Sequence, residues 1–237
     1  MLFPDVIHPS WEEFITEDII KEIQIVEDRI GDDYNPKDPK LILRFLTVDL
    51  NQVKVICLGQ DVYPAEGVAT GRSFEVGGLK NWNTPFRQVS LKNIVRLVHK
   101  NYSGINNYKE IKSFNEIRKQ IQNQEFMIKQ PDIWFDSLES QGVLFLNKSF
   151  TCKIGKSDSH NHIWEKFSHS VLKYISQKKP KIIWFLWGKG AISTKKVLCE
   201  GIILQSRHPM MCSEKYEDDF LKFQGIEATM DNINWLG

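Results

Sequence analysis

The stretch Val53-Lys54-Val55-Ile56-Cys57-Leu58, followed directly by Gly59-Gln60-Asp61, decides the fold of this chain. An unbroken run rich in β-branched and apolar residues predicts a strand covered on both faces, and the glycine predicts a tight turn that ends it. In parallel α/β sheets, ligands bind in the crevice beyond the carboxyl ends of the strands. We therefore expect the Asp61 carboxylate to face a ligand rather than a core.

Three more apolar runs, at residues 142–146, 181–187 and 201–205, end in polar or glycine-containing segments. Helix-like stretches separate the four runs. This order predicts an α/β fold, with three layers (α/β/α) around a central four-stranded, mainly parallel sheet. Because the carboxyl ends of parallel strands share one edge, the residues after the four runs should meet there. They are Asp61, Asn147, the turn around Gly188, and His208.

Local signals predict where the helices lie. Ser10 has a glutamate three residues later, which is the spacing of a capping box and predicts a helix start. Apolar residues at helical spacing predict helices over residues 18–30, 90–100 and 164–176. Residues 131–139 are interpreted as the approach to the second strand.

Length and composition indicate an ordinary globular protein. The chain has 237 residues, 41% hydrophobic and 26% charged. We predict one domain over residues 1–237 and a monomer, since α/β domains often reach this length undivided. The 31 basic and 30 acidic side chains exclude a strongly charged chain, yet leave room for a local basic face that binds nucleic acid.

Compartment and cofactor use follow from what the sequence lacks. No charged leader precedes an apolar signal core, and the longest apolar run, near residues 182–187, is too short to span a bilayer. We expect a cytoplasmic protein that does not associate with membranes. The four cysteines form no C-x-x-C pair, which predicts reduced thiols, no metal and no cofactor.

Six ordered segments between Gly59 and Ser213 resemble the family-one uracil-DNA glycosylases. The segment that begins at Gly59 is similar to that family's G-Q-D-P-Y-H loop, and the one that begins at His208 stands where the family has H-P-S-P-L-S. The four segments between them are Gly71-Arg72-Ser73-Phe74-Glu75-Val76, Ser90-Leu91-Lys92-Asn93-Ile94, Gly142-Val143-Leu144-Phe145-Leu146-Asn147 and Leu186-Trp187-Gly188-Lys189-Gly190-Ala191. One short match would be weak, but the ordered set indicates both the fold and the chemistry.

The resemblance implies a monofunctional uracil-DNA glycosylase of base excision repair. Such a hydrolase cleaves the N-glycosidic bond of deoxyuridine in DNA, releases uracil and leaves an abasic site. It implies Asp61 and His208 as the catalytic residues. The residues implied to bind the substrate are Gln60, Tyr63, Phe74 and Asn147.

These residue types suit that chemistry on physical grounds. A base must leave the stack before it can react, and Phe74 can stack on it once it has left. Asn147 offers a donor and an acceptor to an imide edge, while Tyr63 can crowd out a 5-methyl group. Cleavage puts positive charge on the sugar and negative charge on the base, so a carboxylate (Asp61) and a hydrogen-bond donor (His208) both help.

DNA itself must be held as well as the base. Backbone N–H groups in turns and at helix N-termini bind phosphates without adding net charge. The residues predicted to contact DNA are Ser90, Gly188, Lys189, Ser206, Met211, Cys212 and Ser213.

Several positions depart from the family pattern. Val62 and Pro64 replace a proline and a histidine, and Cys212 stands where the family has the leucine that fills the gap left by the flipped base. Met210 or Met211 is long and adaptable enough to serve as that wedge instead. The chemistry-bearing positions are kept while the DNA-handling loops differ, which indicates altered engagement of DNA.

Two alternatives to uracil excision remain open from the sequence. The altered loops allow a glycosylase that excises another modified pyrimidine from foreign DNA, although Tyr63 and Asn147 argue for uracil. The changed wedge position allows a catalytically weak DNA-binding protein on the same fold, although Asp61 and His208 argue for catalysis.

Overall fold

A computed structural model describes residues 2–237 of the chain. Four strands form one sheet in the order β2-β1-β3-β4, and every neighbouring pair is parallel. The predicted α/β fold with a four-stranded parallel sheet is confirmed. The strands are β1 (Val55–Asp61), β2 (Val143–Ser149), β3 (Ile183–Trp187) and β4 (Ile202–Ser206).

Eight α-helices surround the sheet in the described residues. Short 3₁₀ turns also occur before β1, after α7 and near the end of the chain. The helices are α1 (Glu17–Ile30), α2 (Pro39–Ile42), α3 (Val89–Tyr102), α4 (Phe114–Gln122), α5 (Pro131–Ser140), α6 (Asn161–Lys178), α7 (Lys189–Ile192) and α8 (Gly225–Thr229).

The strands bury alternate residues in two separate cores. Val55 and Cys57 of β1 pack with side chains of α3, α4, α5 and α8 on one face of the sheet. Ile56 and Leu58 pack with α1 and α6 on the other. Successive strand residues point to opposite faces, so a run that is apolar at every position gives the three-layer arrangement.

Two strand boundaries differ from the sequence-based expectation. β1 does not stop at Leu58, because Gly59 pairs with Asn147 and Asp61 pairs with Ser149. β2 likewise continues through Asn147 rather than ending before it. Polar residues at the ends of these strands can still form ladder hydrogen bonds while their side chains face the cleft, so the end of an apolar run does not mark the end of a strand.

The fourth strand is not covered on both faces. β4 lies at the edge of the sheet, and Ile202 is 54% exposed. Its apolar sequence alone could not separate an edge strand from a central one, since β propensity depends on the position in the sheet.

Two local predictions were wrong. Ser10 is not a helix cap: a 3₁₀ turn spans Pro9–Trp11, and the Ser10 hydroxyl accepts a hydrogen bond from the backbone N–H of Leu50. Residues 131–139 are not a mere approach to β2 but form helix α5, with Pro131 in its first turn. Proline at the first helical position is a start signal, because its missing N–H has no partner to lose there.

A buried ion-pair cluster connects α5 to the loop after β1. Arg72 is 5% exposed, and its guanidinium donates to both Glu139 oxygens at 2.8 and 2.7 Å. It also pairs with Glu75 at 3.1 Å and with Asp136 at 2.7 Å. The bidentate arrangement satisfies the buried guanidinium and fixes the loop against the helix.

Arg72→Met should destabilise the fold by about 3 kcal/mol, because it leaves two largely buried carboxylates, Glu75 and Glu139, close together without their main cation. Urea unfolding followed by circular dichroism measures this loss. The control is Lys40→Ala, which removes an exposed pair with Asp5 and should have a much smaller effect. Equal effects of the two variants would contradict a structural role for the cluster.

Candidate active site

The carboxyl ends of the strands open into a cleft of about 310 Å³. It combines acidic, aromatic, amide and imidazole side chains from segments far apart in the sequence. The residues predicted from sequence that line it are Gln60, Asp61, Tyr63, Phe74, Ser90, Asn147 and His208, joined by Met210. A cavity of about 630 Å³ at the opposite edge of the sheet is larger, but it is lined mainly by lysines and aliphatic residues. Position at the strand ends and chemistry, rather than size, therefore identify the site.

Asp61 is held by two backbone donors at the end of β1. One carboxylate oxygen accepts the N–H of Val62 at 2.9 Å, and the other accepts the N–H of Asp158 at 2.5 Å. Burial raises the pKa of the Asp61 carboxyl to about 6, and these two hydrogen bonds oppose the rise. Asp61 is therefore ionised at pH 8, and its pKa lies within about one unit of neutral pH. Such a raised pKa is common for catalytic carboxyl groups.

Asn147 is 1% exposed, and neither its amide oxygen nor its amide nitrogen has a hydrogen-bond partner within the protein. The facing residue of β1 is Gly59. A Cβ atom there would lie 2.6 Å from the Asn147 Oδ1 and 2.7 Å from the Ser73 Cβ, so only glycine fits. Leaving a buried polar group unpaired costs about 1–3 kcal/mol, which makes this amide available to a ligand.

Phe74 forms the apolar wall of the cleft. Its φ of 65° is in the left-handed region, which costs a bulky residue energy and is found mostly at functional sites. The ring lies 5.3 Å from the ring of Trp187 and 6.5 Å from that of His208. The Tyr63 hydroxyl donates to the backbone oxygen of Phe74 at 3.4 Å, which links two of the residues predicted to bind the base.

His208 is held in one tautomer in its neutral form. Its Nδ1 accepts the backbone N–H of Met210 at 3.2 Å, so the neutral ring carries its proton on Nε2. Burial lowers the pKa of His208, which favours the neutral ring. Gly188 lets this loop come close, because a Cβ atom there would lie 2.8 Å from the His208 Cβ. The arrangement supplies a neutral N–H donor, a point that the sequence left undecided.

The loop after His208 is tied down at several points. The Asn93 amide of α3 donates to the backbone oxygen of Pro209 at 2.6 Å, and the Ser213 N–H donates to Asp219 at 2.6 Å. Met210 and Met211 remain 58% and 60% exposed at its tip. Cys212 turns inward, with its sulfur 3.7 Å from the Pro209 oxygen. The exposed tip is therefore formed by the methionines.

The other residues predicted to contact DNA differ in their exposure and in their hydrogen bonds. Ser90 lines the cleft, and Lys189 is exposed at the start of α7. Ser206 is 3% exposed and its hydroxyl donates to the Arg207 backbone oxygen, while the Gly188 N–H donates to the Ser206 backbone oxygen at 2.8 Å. The hydroxyl of Ser206 and the N–H of Gly188 therefore each have a partner within the protein, and their contact with DNA stays a prediction.

Sequence reasoning missed two features of the site. Asp158 lies in the cleft wall against Asp61. The sequence predicts a surface or helix-capping position for His160, which is the N-cap residue of α6 but is only 1% exposed. Its Nδ1 lies 2.9 Å from the Thr151 hydroxyl. The short interval of glycine, serine and aspartate before His160 is the only signal of a tight loop there.

Within residues 2–237 no three His, Cys, Asp or Glu side chains are grouped so that they could hold a metal ion. No helix in this part of the chain is long and apolar enough to cross a membrane.

Comparison with known proteins identifies the family. A uracil-DNA glycosylase from Clostridium beijerinckii is 31% identical over 215 residues, which cover 86% of this chain and 83% of that protein. One from Mycoplasmopsis pulmonis is 32% identical over 209 residues, covering 84% and 81%. One from Streptococcus sanguinis is 27% identical over 249 residues, covering 97% and 99%. No protein-family model matches the chain.

Solved structures show the same fold. The crystal structure of a mimivirus uracil-DNA glycosylase matches with a TM-score of 0.64 and 22% identity, over 86% of this chain and 69% of that one. The wild-type UNG of Nitratifractor salsuginis matches with a TM-score of 0.65 and 21% identity, over 86% and 85%. The α/β fold with a cleft at its strand ends places the chain in a broad structural class. Sequence identities of 31% and 32% to two of these relatives identify the family within that class. The chain belongs to the uracil-DNA glycosylase family.

The stability of Asp61→Asn, measured relative to that of wild type, should increase as the pH rises from 4 to 8. The folded pKa near 6 lies above the ordinary value of 3.8, so wild type loses stability as the pH rises through this interval and the buried carboxyl ionises. Asparagine carries no charge at either pH. The measurement is the difference in Tm between variant and wild type at the two pH values. A difference that stays constant or falls would contradict the raised pKa, and the exposed Asp231→Asn is the control for the substitution itself.

Proposed function

We propose that this protein is a monofunctional uracil-DNA glycosylase that cleaves the N-glycosidic bond of deoxyuridine in DNA. The observation that carries the proposal is the buried, unpaired amide of Asn147 in one cleft with Asp61 and His208. A family relationship to uracil-DNA glycosylases supports it.

The cleft has the groups needed to recognise the base. An imide edge presents C=O and N–H groups side by side, and the Asn147 amide can donate to one and accept from the other. Phe74 offers a flat apolar face for stacking. Tyr63, whose hydroxyl is held at the Phe74 backbone, narrows the space beside the ring and would exclude a 5-methyl group. In this proposal Gln60 supports the floor of the cleft.

The same cleft has the groups needed for bond cleavage. As the glycosidic bond breaks, the sugar gains positive charge and the base gains negative charge. The ionised Asp61 stabilises the sugar cation and orients the attacking water, and the Nε2–H of neutral His208 donates to a carbonyl oxygen of the departing base. Water adds to the sugar carbon and loses a proton to solvent, the departing uracil anion takes up a proton from solvent, and the products are uracil and an abasic site.

DNA handling would use the loop tip. Met210 and Met211 are exposed and flexible enough to enter the space left by a flipped nucleotide, whereas Cys212 is turned inward. Ser90, Lys189 and Ser213 lie on segments that flank the cleft or follow His208, and we propose that they contact the backbone of the DNA.

Wild-type protein should release uracil from a single-stranded oligonucleotide, and Asp61→Asn and His208→Ala should each slow release by about 10²–10³-fold while remaining folded. The wild-type rate should fall on the acid side with a midpoint near pH 6, because protonation of Asp61 removes its charge. Single-turnover release across pH 5–9 measures this, with thermal unfolding as the test of folding.

No release of uracil by wild type at any salt concentration would refute the proposal. A parallel panel of oligonucleotides with other modified pyrimidines tests the nearest alternative, since faster release of one of those bases would identify it as the preferred substrate.

Met210→Ala and Met211→Ala should reduce uracil release from duplex DNA more than from single strands. For at least one of these variants the release from duplex DNA should fall roughly tenfold, because truncation removes most of a side chain that must fill the vacated stack. Cys212→Ala is the matched control and should leave the ratio of the two rates unchanged. A larger effect of Cys212→Ala than of either methionine change would assign the wedge to Cys212.

A further inference from the structure

A short loop, residues 153–159, closes over the Asp61 carboxylate. The Asp158 N–H donates to Asp61 at 2.5 Å, and the Gly155 N–H donates to the backbone oxygen of Pro64 at 2.8 Å, so the loop is fastened to both sides of the Asp61 turn. Within the loop, the Lys153 N–H donates to the Ser159 hydroxyl at 2.7 Å. These bonds give the loop a fixed position relative to the cleft.

The Asp158 side chain has a second contact. It accepts a hydrogen bond from the Gln60 amide at 3.1 Å. Gln60 is packed on its other side against Gly190, where a Cβ atom would lie 2.4 Å from the Gln60 Oε1. Asp158 itself has a φ of 61°, a conformation that aspartate, asparagine and glycine tolerate better than most residues. Gln60 is thus clamped between the loop and the start of α7.

Asp158 also places a second carboxylate in the wall of the cleft. Burial is the main cause of the raised pKa of Asp61, and the charge of Asp158 adds to it. The other titratable or charged side chains around Asp61 are Tyr63, Arg72 and His208 in the cleft wall, and Cys152 beneath it.

We propose that Asp158 is a positioning residue for Asp61 and Gln60, whose charge also supplements that of Asp61 where the sugar becomes cationic. This inference rests on the proposed glycosylase function. An added carboxylate repels the DNA polyanion in the ground state and attracts the sugar cation in the transition state. Removing it should therefore weaken catalysis and tighten DNA binding at once.

Asp158→Asn isolates the charge, because asparagine keeps an acceptor for Gln60 and tolerates the positive φ. Single-turnover release from a single-stranded uracil oligonucleotide at pH 8 should show a maximal rate lowered about fivefold, as one charge in a solvated cleft is worth on the order of 1 kcal/mol. The apparent Kd for the DNA should fall. The midpoint of the loss of rate on the acid side of the pH profile should fall by on the order of half a pH unit.

Asp158→Gly keeps the backbone N–H but removes both charge and clamp, so its maximal rate should be lower still with the same tighter DNA binding. Asp231→Asn makes the same charge change on an exposed residue outside the cleft and should alter neither quantity. A lower rate with unchanged or weaker DNA binding in Asp158→Asn would reduce Asp158 to a structural residue and overturn the inference.

A readout independent of activity separates this inference from the proposed function. The ¹³C carboxyl signal of Asp61 should titrate near pH 6 in wild type and at lower pH in Asp158→Asn. An unchanged midpoint would overturn the inference even if uracil is released. Failure of wild type to release uracil, with the midpoint shifted as expected, would overturn only the proposed function.

Discussion

The close approach of three backbone segments at Gly59 is the constraint on which the site depends. Gly59 is the register partner of Asn147, and the loop residue Ser73 packs against the same point. The Ser73 hydroxyl donates to the Cys57 backbone oxygen at 2.9 Å, which holds the loop onto β1. Without a side chain at Gly59, the Asn147 amide can sit beside Phe74 and still have no partner in the protein. A larger residue there would move the loop, the amide or both.

The two residues proposed for catalysis, Asp61 and His208, both have pKa values shifted by burial. Removal from water raises the pKa of Asp61 and lowers that of His208. The raised pKa of Asp61 costs stability where its carboxyl is ionised, and the lowered pKa of His208 costs stability only where its imidazole would be protonated. Both shifts suit a reaction in which positive and negative charge separate between the two residues. The unpaired Asn147 amide and the left-handed Phe74 are further local costs. Such departures from the lowest-energy arrangement concentrate where a protein binds or reacts.

The sequence predicted the sheet and most of the cleft because both follow from simple patterns. Apolar runs ending in Asp61, Asn147 and His208 place those residues at one edge of a parallel sheet. The sequence could not predict that β1 and β2 continue through their polar ends, since hydrogen-bond pairing is not encoded in hydrophobicity. Asp158 was missed because it reaches Asp61 through a backbone N–H, a contact that any residue type can make.

The remaining differences between the predicted and the observed site depend on which loop side chains are buried. Ser206 and Cys212 turn inward while Met210 and Met211 stay outside, and no local pattern distinguishes these neighbours. The tautomer of His208 likewise depends on a hydrogen bond from Met210 that only the folded loop creates. Long, regular elements were thus predictable, whereas the orientation of single loop side chains was not.

We propose that the unpaired Asn147 amide reads the edge of a pyrimidine base. A crystal structure of the protein soaked with uracil tests this role. We expect the base between Phe74 and His208, with Asn147 Oδ1 and Nδ2 each about 2.7–3.2 Å from a polar atom of the uracil edge. Uracil bound elsewhere, or bound in the cleft with both Asn147 atoms still unpaired, would contradict it.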